Sequence, residues 1–274
     1  MSDTLKAPAP AATTGSPQRR WRRRLIAVIA TLLAAALLVS VTVLMQAFIL
    51  KPANGPDAFR DAPASDSLIV VAGASTVQGT ISADWVSGLY EPGTDVVNAG
   101  INGHTTADLL ERLDRDVIEL DPERVITLVG TNDIRGDVDP AQSQENISQI
   151  LDQLTTQTSA DVAVMSLQPL GEQLDSDQNT RIRAYNAMLK SEAEARGVDY
   201  LPLYESLEPL LDGDAPDFSF PIIQTAFDKF LFGKTFTEMS ESHGLQVTAD
   251  NVHLNERGAA VAGRLAAEWM EQTR

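Results

Sequence analysis

The apolar, β-branched run in "LIVVAGAS" breaks off at Gly73-Ala74-Ser75. A strand that ends in Gly-x-Ser either turns a corner or holds a serine hydroxyl out at the rim of a sheet. A serine hydroxyl is a weak nucleophile until a neighbouring base takes its proton, so the second reading requires a base elsewhere in the chain. In "ADNVHLNERG", Asp250 stands three residues before His253, an acid and an imidazole within one short loop. Two other blocks stand out. "NAGINGHT" carries Asn98, Gly100 and Gly103, and "VGTND" carries Gly130, Thr131, Asn132 and Asp133. A serine, an acid–histidine pair and small or amide-bearing turns are the residue types that acyl transfer through serine employs.

The elements around these blocks decide whether they can meet. Apolar runs over Leu68–Ala72, Asp95–Asn98, Val125–Val129 and Val162–Leu167, with a shorter one near Tyr200–Leu203, read as strands. Helical periods fall at about 80–90, 105–120, 140–157 and 178–196. In "TTADLLERLDRDVIEL", Leu109, Leu110, Leu113, Val117 and Leu120 lie on one helical face, and Thr105 or Thr106 can cap its start. After the histidine block, Asn255 is placed to cap a helix packed through Ala259, Val261, Ala262, Leu265, Ala266 and Trp269. Short apolar strands alternating with helices imply a mostly parallel sheet covered on both faces, a three-layer α/β/α domain. Ligands bind at the carboxyl ends of such strands. Ser75, the turn at Gly103, and Asn132 all fall there.

These four blocks, in this order from about Leu68 to Trp269, resemble the SGNH (GDSL) hydrolases, named for a Ser, a Gly, an Asn and a His. The resemblance implies a flavodoxin-like SGNH fold with a five-stranded sheet. It also implies a carboxylic ester hydrolase in which Ser75 is the nucleophile, His253 its base and Asp250 the residue that orients the imidazole. By the same resemblance the oxyanion hole is formed by the backbone N–H groups of Ser75 and Gly103 and the side-chain amide of Asn132. The chain departs from the family at one point. Its first block usually reads Gly-Asp-Ser, and here Ala74 replaces the aspartate. That change leaves the reaction possible and places the hydrogen bonding of the serine turn in question. His104 and Asp133 flank the blocks without an assigned role, and His243 reads as a surface residue.

The first fifty residues are of another kind. Residues 1–24 end in "QRRWRRR" and carry a net charge of +5, whereas the remainder carries −22 within a chain total of −17. Leu25 to Leu50 contains no charged residue and exceeds the ~30 Å hydrocarbon core at ~1.5 Å per residue. A cleaved signal peptide and a twin-arginine export signal compete with an uncleaved anchor, which the length of the run favours. The arginines precede the helix and only Lys51 directly follows, so the N-terminus is expected in the cytoplasm and the rest outside. The expected organisation is a basic tail (1–24), a transmembrane signal anchor (25–50), a linker (51–67) and the hydrolase domain (68–274). So acidic a domain repels nucleic acid. The absence of cysteine and the scatter of three histidines argue for neither a disulfide framework nor a metal site, and no cofactor is expected.

Residues 217–239, "DFSFPIIQTAFDKFLFGKTFTEM", hold six of the eight phenylalanines. They read either as a satellite cluster packed on the sheet or as a wall that receives an acyl chain or leans on the bilayer. The sequence thus points to a single-pass membrane protein whose extracytoplasmic domain cleaves acyl or acetyl esters of a lipid or an acylated cell-envelope glycan. An acyltransferase using the same site and a catalytically inactive binding module are the alternatives.

Overall fold

In a computed structural model, residues 17–60, 67–213 and 215–273 are described. The chain divides into two compact units, one ending at Thr42 and the other beginning at Val43. Helix α1, Pro17–Phe48, supplies the described part of the first. It starts earlier than the apolar run because the arginines also favour helix. Leu32, Leu33, Leu37 and Leu38 among its leucines are exposed. Among the described residues it is the one helix long and apolar enough to cross a membrane, with a mean hydropathy of 2.7 over its most apolar window.

The second unit is built on five parallel strands: β1 (Leu68–Gly73), β2 (Asp95–Gly100), β3 (Arg124–Leu128), β4 (Asp161–Met165) and β5 (Asp199–Leu201). Their order is β2-β1-β3-β4-β5. Helices cover both faces, so the central strands read as unbroken apolar runs. Ile69, Val70, Val71 and Ala72 of β1 are fully buried, as are Val125 and Ile126 of β3. The order reverses between β1 and β3, which is where a doubly wound sheet opens a crevice at its carboxyl edge.

Between the strands lie α2 (Ser75–Gln78), α3 (Thr106–Asp116), α4 (Thr131–Arg135), α5 (Pro140–Gln157) and α6 (Asp177–Arg196). After β5 come α7 (Leu203–Leu207), α8 (Ile222–Phe230), α9 (Phe236–Ser242) and α10 (Glu256–Gln272). Thr105 caps α3 in a reciprocal capping box with Asp108, and the Asn255 side chain accepts from the Gly258 N–H at the start of α10. The helix expected at 80–90 does not form. Gly79, in the left-handed conformation (φ 76°), ends α2, and only Ser87–Leu89 makes a single 3₁₀ turn before β2. Short α7, α8 and α9 carry too few residues for the periodicity to reveal them.

Residues 52–60 lie against the sheet. The Asn54 side chain donates to the Val96 carbonyl at 3.0 Å, and Asn98 N–H donates to the Asn54 carbonyl at 2.9 Å. Arg60 pairs with Asp116 at 3.1 Å. Part of the expected linker, residues 61–66, lies outside the described residues.

One buried guanidinium ties the carboxyl ends of β1 and β2 together. Arg112 of α3 donates to the Gly73 carbonyl at the end of β1 (2.9 Å), to the Ala99 carbonyl of β2 (2.9 Å) and to Asp116 (3.2 Å). Burial pushes the Asp116 carboxyl up, but hydrogen bonds from Arg115 and Arg112 outweigh it and hold the group below the usual carboxylate range. A carboxyl so lowered stabilises the fold above its unfolded pKa, and that stabilisation is lost as pH falls through its folded value. Arg112→Ala removes the bonds to the Gly73 and Ala99 carbonyls and to Asp116 at once and should cost about 3–5 kcal/mol, the range for breaking a buried ion pair. Arg112→Lys should recover part of that, because one ammonium cannot reproduce the planar fork. Urea unfolding at neutral pH checks both values.

Candidate active site

Ser75 opens α2 immediately beyond β1, and its side chain is nearly buried. His253 reaches it from the loop before α10: Nε2 lies 2.9 Å from Ser75 Oγ. On the other side of the ring, Nδ1 lies 2.9 Å from Asp250 Oδ2. The other carboxylate oxygen accepts the backbone N–H groups of His253 (2.9 Å) and Val252 (3.1 Å). Asp250 is fully buried. Burial alone would raise its pKa, but the charge of His253 and the hydrogen bonds from His253 and Val252 win, and the carboxyl is held below its ordinary range. An ionised Asp250 accepts from Nδ1–H, which leaves the Nε2 lone pair free to accept the Ser75 hydroxyl proton.

Gly103 and Asn132 lie at the ends of the two strands that flank β1. Gly103 sits in the turn after β2 with φ 78°, a conformation that favours glycine, and its Cα faces open space. Asn132 lies in α4 beyond β3, and its amide donates to the His104 carbonyl at 2.9 Å. That bond uses one amide hydrogen and leaves the second available. The Asn98 side chain at the end of β2 is turned inward, donating to the Val77 carbonyl at 2.8 Å and accepting from Gly100 N–H at 3.0 Å.

The flanking residues without an assigned role have structural partners. Asp133, buried, accepts from Thr106 N–H (3.0 Å), Thr106 Oγ1 (2.5 Å) and Ser143 Oγ (3.2 Å), so it fixes the start of α3 beside Asn132. The His104 ring accepts from Arg112 Nε at 3.2 Å, and burial and then Arg112 push its pKa down. His243 is half-buried, with Nδ1 2.9 Å from the Ala249 carbonyl.

Three groups that no sequence motif marks also shape the site. Gln168, beyond β4, donates both to Thr76 Oγ1 (3.1 Å) and to the Val252 carbonyl (2.8 Å), joining the serine turn to the histidine loop. Glu172 is a buried carboxylate that accepts from the N–H groups of Gln246, Val247 and Thr248 and from Thr248 Oγ1, all within 2.7–2.9 Å. Phe220 places its ring 5.7 Å from the His253 imidazole, and the Arg135 guanidinium sits 4.1 Å over that same ring. The remaining phenylalanines of 217–239 divide. Phe236 is in the main core, Phe227 and Phe230 pack on a satellite cluster with Val43, Ala47, Ile81 and Ala226, and Phe218 and Phe232 are exposed.

The model of the GDSL-like lipase/acylhydrolase family matches residues 66–261, which covers all four blocks. Several solved structures share the fold. A GDSL-like lipase from Bacteroides thetaiotaomicron is 19% identical, covering 76% of this chain and 89% of its own length, with a TM-score of 0.55. A lipase/acylhydrolase from Enterococcus faecalis is 21% identical, covering 75% and 96%, with a TM-score of 0.54. A catalytic mutant of an acetylxylan esterase from Geobacillus stearothermophilus is 16% identical, covering 75% and 94%, with a TM-score of 0.55. No curated protein matches the chain. With a family model spanning the sheet and every block at its carboxyl edge, the chain belongs to the GDSL-like lipase/acylhydrolase family and is a hydrolase of ester bonds.

Proposed function

We propose that this protein is a membrane-anchored, extracytoplasmic serine esterase that works through a covalent acyl-enzyme. The observation that carries the mechanism is the buried hydrogen-bonded chain from Ser75 Oγ through His253 to Asp250, at 2.9 Å in each link. Ser75 Oγ attacks the ester carbonyl as its proton passes to His253 Nε2. Asp250 stabilises the imidazolium that forms. The carbonyl oxygen becomes an oxyanion, which the N–H groups of Ser75 and Gly103 and the second amide hydrogen of Asn132 receive. Each such donor contributes roughly 10²–10³ in rate. His253 then returns its proton to the departing alcohol, and a water molecule repeats the sequence to release the acid.

Anchoring through the apolar run that begins at Leu25 is supported by how α1 treats its polar groups. The hydroxyls of Thr31, Ser40 and Thr42 each donate to the carbonyl four residues earlier, at 2.9 Å, so none projects an unmet donor into lipid. The arginines ahead of the helix support a cytoplasmic N-terminus. Substrates in reach of an outward-facing domain are lipids and acylated or acetylated cell-envelope glycans. The name of the acetylxylan esterase neighbour suits the second group.

Ser75→Ala should abolish ester turnover, a loss on the order of 10⁴–10⁶, and should remove labelling by a fluorophosphonate probe while the melting temperature stays near that of the parent. Normal turnover by this variant would refute the assignment. Protease added to intact cells should release an acidic fragment beginning within residues 51–67. Protection of the whole domain in cells whose surface is demonstrably accessible would reverse the topology. For the aromatic stretch, Phe236→Ala should cost about 3–5 kcal/mol and depress all activities through folding. Phe220→Ala should instead lower kcat/KM with little change in melting temperature. A series of p-nitrophenyl esters from acetyl to palmitoyl, paired with thermal melts, separates the two effects.

A further inference from the structure

The last turn of α1 is folded into the hydrolase unit rather than leading up to it. Val43 and Ala47 are buried against Ile81 and Ala226, with Phe227 and Phe230 packed beside them. The final carbonyls of a helix have no partner within it, and here side chains from the two turns that flank the site supply partners. The Ala47 carbonyl accepts from Thr80 Oγ1 at 3.0 Å and from Asn102 Nδ2 at 2.9 Å. Asn102 Nδ2 also donates to Thr80 Oγ1 at 3.1 Å, which closes a three-membered ring of hydrogen bonds. The Leu50 carbonyl accepts from Gln78 Nε2 at 3.0 Å, and Gln78 Oε1 in turn accepts from the Asn102 backbone N–H at 2.5 Å. A carbonyl can only accept, so both amide nitrogens must face the helix end.

Asn102 immediately precedes Gly103, and Gln78 closes the short helix that Ser75 opens. Two of the three groups assigned to the oxyanion hole therefore stand one residue, or one helical turn, from a side chain fastened to α1 or to the residues that directly follow it. We propose that Asn102 is a positioning residue that aims the Gly103 N–H at the oxyanion, and that the Ala47 carbonyl at the end of the apolar helix is the fixed point it is aimed from. The C-terminal end of α1 and the residues directly after it thus form a mechanical part of the catalytic domain. This inference rests on the reading of Gly103 as an oxyanion donor. A misplacement of about 1 Å at a reacting centre can cost on the order of 10² in rate, and the pairing at Ala47 is the contact that prevents such drift.

The test uses the full-length chain in detergent micelles. Active sites are counted by fluorophosphonate labelling, and kcat is expressed per labelled site, so that a variant that merely folds poorly loses sites rather than rate per site. Asn102→Ala should lower kcat per site by about 10–100-fold with KM within about twofold. Affinity for an alkylboronic acid, whose tetrahedral adduct presents an oxygen to the same donors, should fall in parallel. Thr80→Val should show the same pattern more weakly, and Thr80→Ser, which keeps the hydroxyl, should restore the parent rate. A per-site kcat for Asn102→Ala within twofold of the parent would overturn the proposal alone, as would a loss confined to the number of labelled sites. Failure of the parent chain to label at Ser75 would instead overturn the serine mechanism, and this inference with it.

Discussion

The hydrogen bond between Ser75 Oγ and His253 Nε2 joins parts of the chain 178 positions apart, and at 2.9 Å it tolerates little drift at either end. Each end is therefore held by groups outside its own loop. On the serine side, Arg112 and Ile101 N–H hold the Gly73 carbonyl, the Trp85 indole holds the Thr76 carbonyl at 2.9 Å, and Asn98 holds the Val77 carbonyl. On the histidine side, Glu172 gathers three consecutive N–H groups at 246–248, and Ala83 N–H donates to the Leu254 carbonyl at 2.8 Å. Gln168 touches both sides with a single amide nitrogen. The sheet brings Ser75, Gly103 and Asn132 to one edge by topology alone, whereas the histidine must be brought there by these specific bonds.

The charge of the domain makes that task harder. An acidic protein that buries Asp133, Glu172 and Asp250 must keep each carboxylate satisfied, because an unmet buried charge is expensive. It does so with dipoles: backbone N–H groups and hydroxyls supply the donors to Glu172 and Asp133, and the imidazole supplies Asp250. Such donors are fixed by the backbone, so the carboxylates also serve as clamps on loops that have no regular structure of their own. Arg135 is different in kind. It offers a cation stacked on Phe220, whose ring in turn adjoins the His253 imidazole.

Much of this was readable from the residues because parallel strands buried on both faces are written as apolar runs. All five strands, the Thr105 and Asn255 caps, and the long helices α5 and α6 lie within a residue or two of where pattern and capping chemistry place them. The Ser75, Asp250 and His253 blocks were legible because each interrupts such a pattern with residue types that chemistry uses. What escaped was whatever depends on contact at long range. Nothing local distinguishes Glu172 or Gln168 from surface residues, since their meaning lies in loops 74–76 and 84–92 positions away. The same holds for Asn102, whose partner Ala47 lies 55 positions earlier in what reads as membrane helix.

Residues 80–90 show why the one mistaken helix could not have been tolerated there. A helix would turn the backbone groups of this stretch upon themselves and point its side chains outward at regular intervals. Released from that geometry, the stretch spends its donors on neighbours: Thr80 on Ala47, Ala83 N–H on Leu254, and the Trp85 indole on Thr76. This also bears on Ala74. The family's aspartate before the serine is missing, and the turn retains its shape through the Ala74 carbonyl, which accepts from Val77 and Gln78 N–H at 3.1 and 2.9 Å. Those local bonds close α2, but they cannot fix where α2 sits. That is set by Trp85 and Asn98 pulling on its carbonyls and by Gln78 reaching Leu50, just beyond α1. The irregular segment after the serine, β2 and the residues that follow the apolar helix together fix the position of α2.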